Sequence, residues 1–129
     1  MPAGNAFTAT QRADLERVVA IAEQRSGLNF SVYVGPLNDG RDSAIALHSG
    51  TDRRSEDLIL VAVDPEARRL EIVTGADAFL WCDDRTCGLA ALTMTSSFAA
   101  GDLIGGLKNG LALLGEHSRR PNMRHIDTL

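Results

Sequence analysis

Aromatic side chains are scarce in this 129-residue chain, which holds one tryptophan, one tyrosine and four phenylalanines. No Lys/Arg cluster is interleaved with aromatics, and the formal net charge is −4, so a nucleic-acid partner is not expected. Long hydrophobic runs are missing as well. The longest apolar stretches fall far short of a bilayer span, which argues against membrane insertion. The opening Met1-Pro2-Ala3-Gly4-Asn5 has neither the basic nor the apolar region of a signal peptide, so a cytoplasmic location is expected. Only two cysteines occur, and in a cytoplasmic chain they are expected to be reduced. There is no internal repeat, low-complexity tract or linker. One domain over 1–129 is expected, with a core over about 10–117, a loose arm over 1–9 and a basic, proline-broken tail over 118–129.

What is present is ordinary globular composition, 44% hydrophobic and 23% charged. From Thr10, read as an N-cap, Leu15, Val18, Val19 and Ala22 recur at helical spacing, and Gly27 suits the left-handed position that ends the helix. Residues 28–35 alternate, with Leu28, Phe30, Val32 and Val34 on one strand face. Turn chemistry at 36–40 precedes a short helix over 41–48. The run Leu58-Ile59-Leu60-Val61-Ala62-Val63 is apolar on both faces, as a central strand covered on two sides requires. Pro65 breaks it, and residues 69–75 return as the second arm of an antiparallel hairpin. A helix capped by Asp83 or Asp84 then runs to about Ser97, its Leu89, Leu92, Met94 and alanines predicting burial over much of its surface. The last helix is capped by Asp102, with Leu103, Leu107, Leu111 and Leu114 on one face. The order helix–strand–helix–strand–strand–helix–helix defines a small α/β sandwich with a mixed sheet.

Glycines 105, 106 and 110 inside the last helix cost about 3 kcal/mol relative to alanine in an exposed helix. Close approach of another backbone is the expected compensation. Cys82 and Cys87 take N′ and N4 if Asp83 is the cap, the two positions of a hydrophobic staple. Asp77, Asp83, Asp84 and Asp102 sit in one loop and at two helix starts. Converging, they would suit calcium or magnesium; apart, they are two caps and two solvated carboxylates. No EF-hand spacing, Walker loop or Gly-x-Ser-x-Gly elbow occurs.

The strand over 58–63, the strand Leu70-Glu71-Ile72-Val73-Thr74-Gly75 and Phe98-Ala99-Ala100-Gly101-Asp102-Leu103-x-x-Gly106-Leu107 follow the order of TPM domains, the thylakoid acid-phosphatase-like family. The last piece resembles that family's Phe-x-x-Gly-Asp-Tyr-x-x-Gly signature, with Leu103 in place of tyrosine. The chain looks like a stand-alone actinobacterial offshoot of unknown function. The resemblance implies a three-layer, Rossmann-like α/β/α domain, divalent-cation binding in some relatives and acid phosphatase activity in others. Asp102 matches the signature aspartate, and Asp83 or Asp84 falls where a Leu-Thr-Asp element is usual. The family's Gly-Tyr-Gly-Leu-Glu segment is replaced by Gly75-Ala76-Asp77-Ala78-Phe79-Leu80-Trp81, and its glutamate is missing.

The expected function is therefore a binding or interaction module with an unknown protein partner and no strong catalysis. The alternative is a divalent-cation-dependent acid phosphatase using Asp102, Asp83, Asp84 and Asp77 as metal ligands.

Overall fold

A computed structural model describes residues 7–51 and 54–121. The first six residues of the expected arm and the last eight of the expected tail lie outside these. Four helices, α1 (Ala9–Ser26), α2 (Arg41–Ser49), α3 (Asp84–Ala99) and α4 (Leu103–His117), surround the strands β1 (Asn29–Val34), β2 (Leu58–Asp64) and β3 (Arg69–Thr74). Strand order is β1-β2-β3. The β1–β2 pair is parallel, in register from Asn29 opposite Leu58 to Val34 opposite Val63. The β2–β3 pair is antiparallel, from Ile59 opposite Thr74 to Asp64 opposite Arg69.

All seven residues of β2 are buried, because the strand is paired on both edges and covered on both faces. Alternation splits its side chains between two cores. Ile59, Val61 and Val63 join Phe30, Met94, Leu107, Leu111 and Leu114 under α1, α3 and α4. Leu60 and Ala62 join Leu37, Ala44 and Val73 under α2. Each fully buried leucine, valine or isoleucine stabilises the fold by about 1.5–3 kcal/mol. The three layers are thus unequal, with three helices on one face and a single short helix on the other.

Within the thicker layer α4 is central and packs along both α1 and α3. Its glycines make this possible, although not as expected. A Cβ at Gly110 would stand 2.4 Å from Met94 Cγ, and one at Gly106 would stand 2.7 Å from the Phe98 ring, so these two admit side chains of α3. Gly105 leaves room for the carboxylate of Asp102, the cap of its own helix. The close backbone approach falls at Gly115, where a Cβ would lie 2.7 Å from Ala22 Cα of α1.

Two boundaries also differ from expectation. Helix α1 starts at Ala9 and is capped by Thr8 rather than Thr10, because Thr8 and Gln11 exchange bonds in a capping box. The described parts of the arm and tail are packed. Phe7 is buried in the larger core, Ser118 is fully enclosed, and Arg120 donates to Asp57 Oδ1 at 2.9 Å and to the Gly27 carbonyl.

Candidate functional site

The four aspartates do not assemble. Asp83 caps α3, accepting the Thr86 N–H at 3.0 Å, and this bond holds its carboxyl below the usual carboxylate range. Asp102 caps α4, accepting the Gly105 N–H at 2.9 Å. Helices α3 and α4 are joined by three residues and packed side by side, so the start of one lies at the end of the other. A helix of 16 residues is about 24 Å long, which sets the scale separating Asp102 from Asp83 and Asp84. Two helix starts in one α-hairpin cannot share an ion, so of the two readings open to the sequence the structure takes the one in which Asp83 and Asp102 act apart, as caps. Asp77 is engaged elsewhere, 3.7 Å from the Arg54 guanidinium, which also lies 3.6 Å from Asp57. Asp84 is exposed in the first turn of α3. Among the described residues, no group of three or more His, Cys, Asp or Glu side chains is placed to hold a metal ion. The described residues therefore do not fit the calcium or magnesium that converging aspartates would have suited.

The cysteines do meet. Cys82 Sγ and Cys87 Sγ are 3.4 Å apart across the α3 cap, both as free thiols. The shared hydrogen bond and burial push the Cys87 thiol up, and the neighbouring Asp84 and Asp83 carboxylates act in the same direction. Such a thiol is a poor nucleophile and a good staple.

Two surface features stand out where the aspartates do not. The first is the outer side of α3 with the short 3-10 turn just before it, Ala78–Leu80. The predicted burial of this helix fails for Leu89 and Leu92, which are 49% and 66% exposed. Leu80 is 70% exposed, and Phe79 and Trp81 are open as well. From Thr86 to Gly101 the sequence carries no charged residue, so nothing on this side screens the leucines. Alanines and leucines at 89–92 read as core from periodicity alone; that α4 needs only the Ala90–Met94 side could be seen only once the pair was docked.

The second feature is a cleft of about 390 Å³ between the β2–β3 turn and the α3–α4 corner. Val63, Leu70, Phe98 and Leu103 supply its apolar lining, and Arg68 and Thr95 are among its polar residues. Arg68 is the one non-glycine residue with positive φ among those described, at 54°. An L-residue held there costs roughly 1–2 kcal/mol. Beside it, Asp64 accepts the Leu37 N–H at 2.9 Å and the Ala67 N–H at 3.2 Å, bonds that hold its carboxyl below the usual range.

Elements and topology together define a small mixed α/β domain. The chain belongs to the DUF5130 family, a domain of unknown function, whose family model matches residues 1–115. That match overturns the TPM resemblance. Physically, the Phe-x-x-Gly-Asp signature here is a helix corner: Phe98 packs on Gly106, Gly101 takes φ 85° after α3, and Asp102 caps α4. Helix-end chemistry selects Gly101 and Asp102 and corner packing selects Phe98, so the pattern alone does not diagnose a family. The fold is similar to the NMR structure of the BA42 protein from the psychrophilic bacterium Bizionia argentinensis, with TM-score 0.75 and 17% identity over 84% of this chain and 79% of that one. It is also similar to the N-terminal domain of the cg2496 protein from Corynebacterium glutamicum, with TM-score 0.69 and 15% identity over 89% of this chain and 76% of that one. No helix among the described residues is long and apolar enough to cross a membrane.

Proposed function

We propose that the protein is a cytoplasmic binding module that docks a protein partner through the outer side of α3 and the Phe79–Trp81 segment, without strong catalysis of its own. The observation that carries this reading is the pair of widely exposed leucines, Leu89 and Leu92, on a helix free of charge from 86 to 99, with Leu80 exposed in the turn that precedes it. Scattered exposed leucines need no explanation, but two leucines three residues apart share one side of a helix, and such paired apolar exposure without neighbouring charge marks interaction sites. A nucleic-acid partner is disfavoured by the net charge of −4.

The test is stoichiometric co-purification from the native host, comparing the natural protein with Leu92→Asp. A partner held at a fixed ratio by the first and lost by the second supports the reading; equal recovery with both variants contradicts it. Hydrolysis of p-nitrophenyl phosphate that requires added calcium or magnesium and disappears in Asp102→Ala would favour the cation-dependent phosphatase instead.

A further inference from the structure

The cleft at the other end of α3 is independent of that docking surface and has its own chemistry. Its apolar lining, Val63 and Leu70 from the hairpin with Phe98 and Leu103 from the helix corner, is continuous with the large core yet left open. A volume of about 390 Å³ is in the range of small-molecule sites, which are mostly apolar with a few placed polar groups.

Four polar side chains need accounting. Asp64 lines the cleft but spends both oxygens on backbone N–H groups, one on Leu37 and one on Ala67, so it is a structural anchor rather than a ligand for a cation. Arg69 also borders the cleft, but its guanidinium lies over Gly40, towards α2. Arg68 remains. It is exposed, makes no ion pair among the described residues, and is held in the left-handed region where glycine would sit without strain. A strained residue that persists at a cleft is a reason to ask what its side chain does there. Arginine offers a planar fork of donors matched to an acid group. Thr95 gives its hydroxyl hydrogen to the Leu92 carbonyl at 3.2 Å, which leaves its lone pairs facing outward from that bond.

We propose that this cleft binds a small anionic amphiphile, with its apolar body against Val63, Leu70, Phe98 and Leu103 and its acid head on Arg68. Carboxylate and phosphate heads share this chemistry, and the experiment separates them. Amide shifts of the labelled protein are followed by NMR during titration with octanoate, octyl phosphate and the neutral octanamide. Saturable shifts centred on 63–70 and 98–103 are expected with at least one acid, and octanamide should bind about tenfold more weakly or worse. Arg68→Gly removes the guanidinium at a position where glycine is at ease, so the variant folds; its affinity for the acid should fall about tenfold. Arg68→Lys, which keeps the charge, should recover much of that loss. The tighter of the two acids identifies the head group. The proposal is overturned if neither acid produces saturable shifts at the cleft, if octanamide binds as tightly as the acids, or if Arg68→Gly binds unchanged.

Discussion

Helices α1 and α3 occupy matching places, one on each side of α4, and differ in what they show to water. The exposed side of α1 carries Arg12, Glu16 and Arg17, with Ile21 as its one strongly exposed large apolar residue. That of α3 carries Leu89 and Leu92 and no charge beyond Arg85. Both helices bury the side that α4 needs, so packing accounts for neither difference. The contrast teaches that the apolar exterior of α3 is additional to the fold, and experiments can break or sharpen it.

The largest effects should be symmetrical. Leu15→Ala on α1 and Met94→Ala on α3 each empty a fully packed site against α4 and should each destabilise by about 2–5 kcal/mol in chemical denaturation. A loss confined to one of them would mean that α4 is held from one side only. Next come the glycines. Gly115→Ala drives a methyl group at the α1 backbone and Gly110→Ala drives one at Met94, each expected to cost about 1–3 kcal/mol. A rise in stability for both would remove the packing explanation, since alanine otherwise favours a helix.

The caps give a smaller and asymmetrical effect. Helix α1 is capped by an uncharged Thr8–Gln11 box, whereas α3 is capped by a carboxylate. Because the Asp83 pKa is lowered on folding, its contribution is fully present above the ordinary aspartate pKa and is lost as pH falls through the depressed folded value. At acid pH the protection of the Thr86 amide, taken relative to its intrinsic exchange rate, should therefore fall while the Gln11 amide, bonded to Thr8 Oγ1, keeps its protection. Equal loss at both would show global unfolding rather than release of one cap.

Much of this arrangement is legible in the sequence. The apolar run 58–63, Pro65 and the returning strand define the hairpin, and Gly27, Asp83 and Asp102 mark helix ends through capping chemistry that is local in sequence. The Cys82–Cys87 contact is legible for the same reason, since N′ and N4 meet in any helix with that start. What is not local is not legible. Whether the aspartates converge or act apart depends on the relative direction of α3 and α4, which the sequence leaves open, and the antiparallel pair sends their starts apart. The outward Leu89 and Leu92 are invisible to a rule that equates leucine with core, because which side of α3 is buried is fixed by Gly106 and Gly110 on α4. Arg120 was missed because its partners Asp57 and Gly27 come from distant segments.

The smallest expected effect is on stability. The double variant Leu89→Asp/Leu92→Asp places charge where side chains already face water, and its melting temperature should stay within about 3 °C of the natural protein. A fall well beyond that would make the leucines part of the fold.

The contrast between the two helices is tested most directly by photocrosslinking in the native host, with p-benzoylphenylalanine placed at position 92 on α3 or at position 16 on α1. A discrete adduct from position 92, absent from position 16 and abolished by Leu89→Asp, is the predicted result. Matching patterns from both positions, or no adduct from position 92, would contradict the docking role of α3.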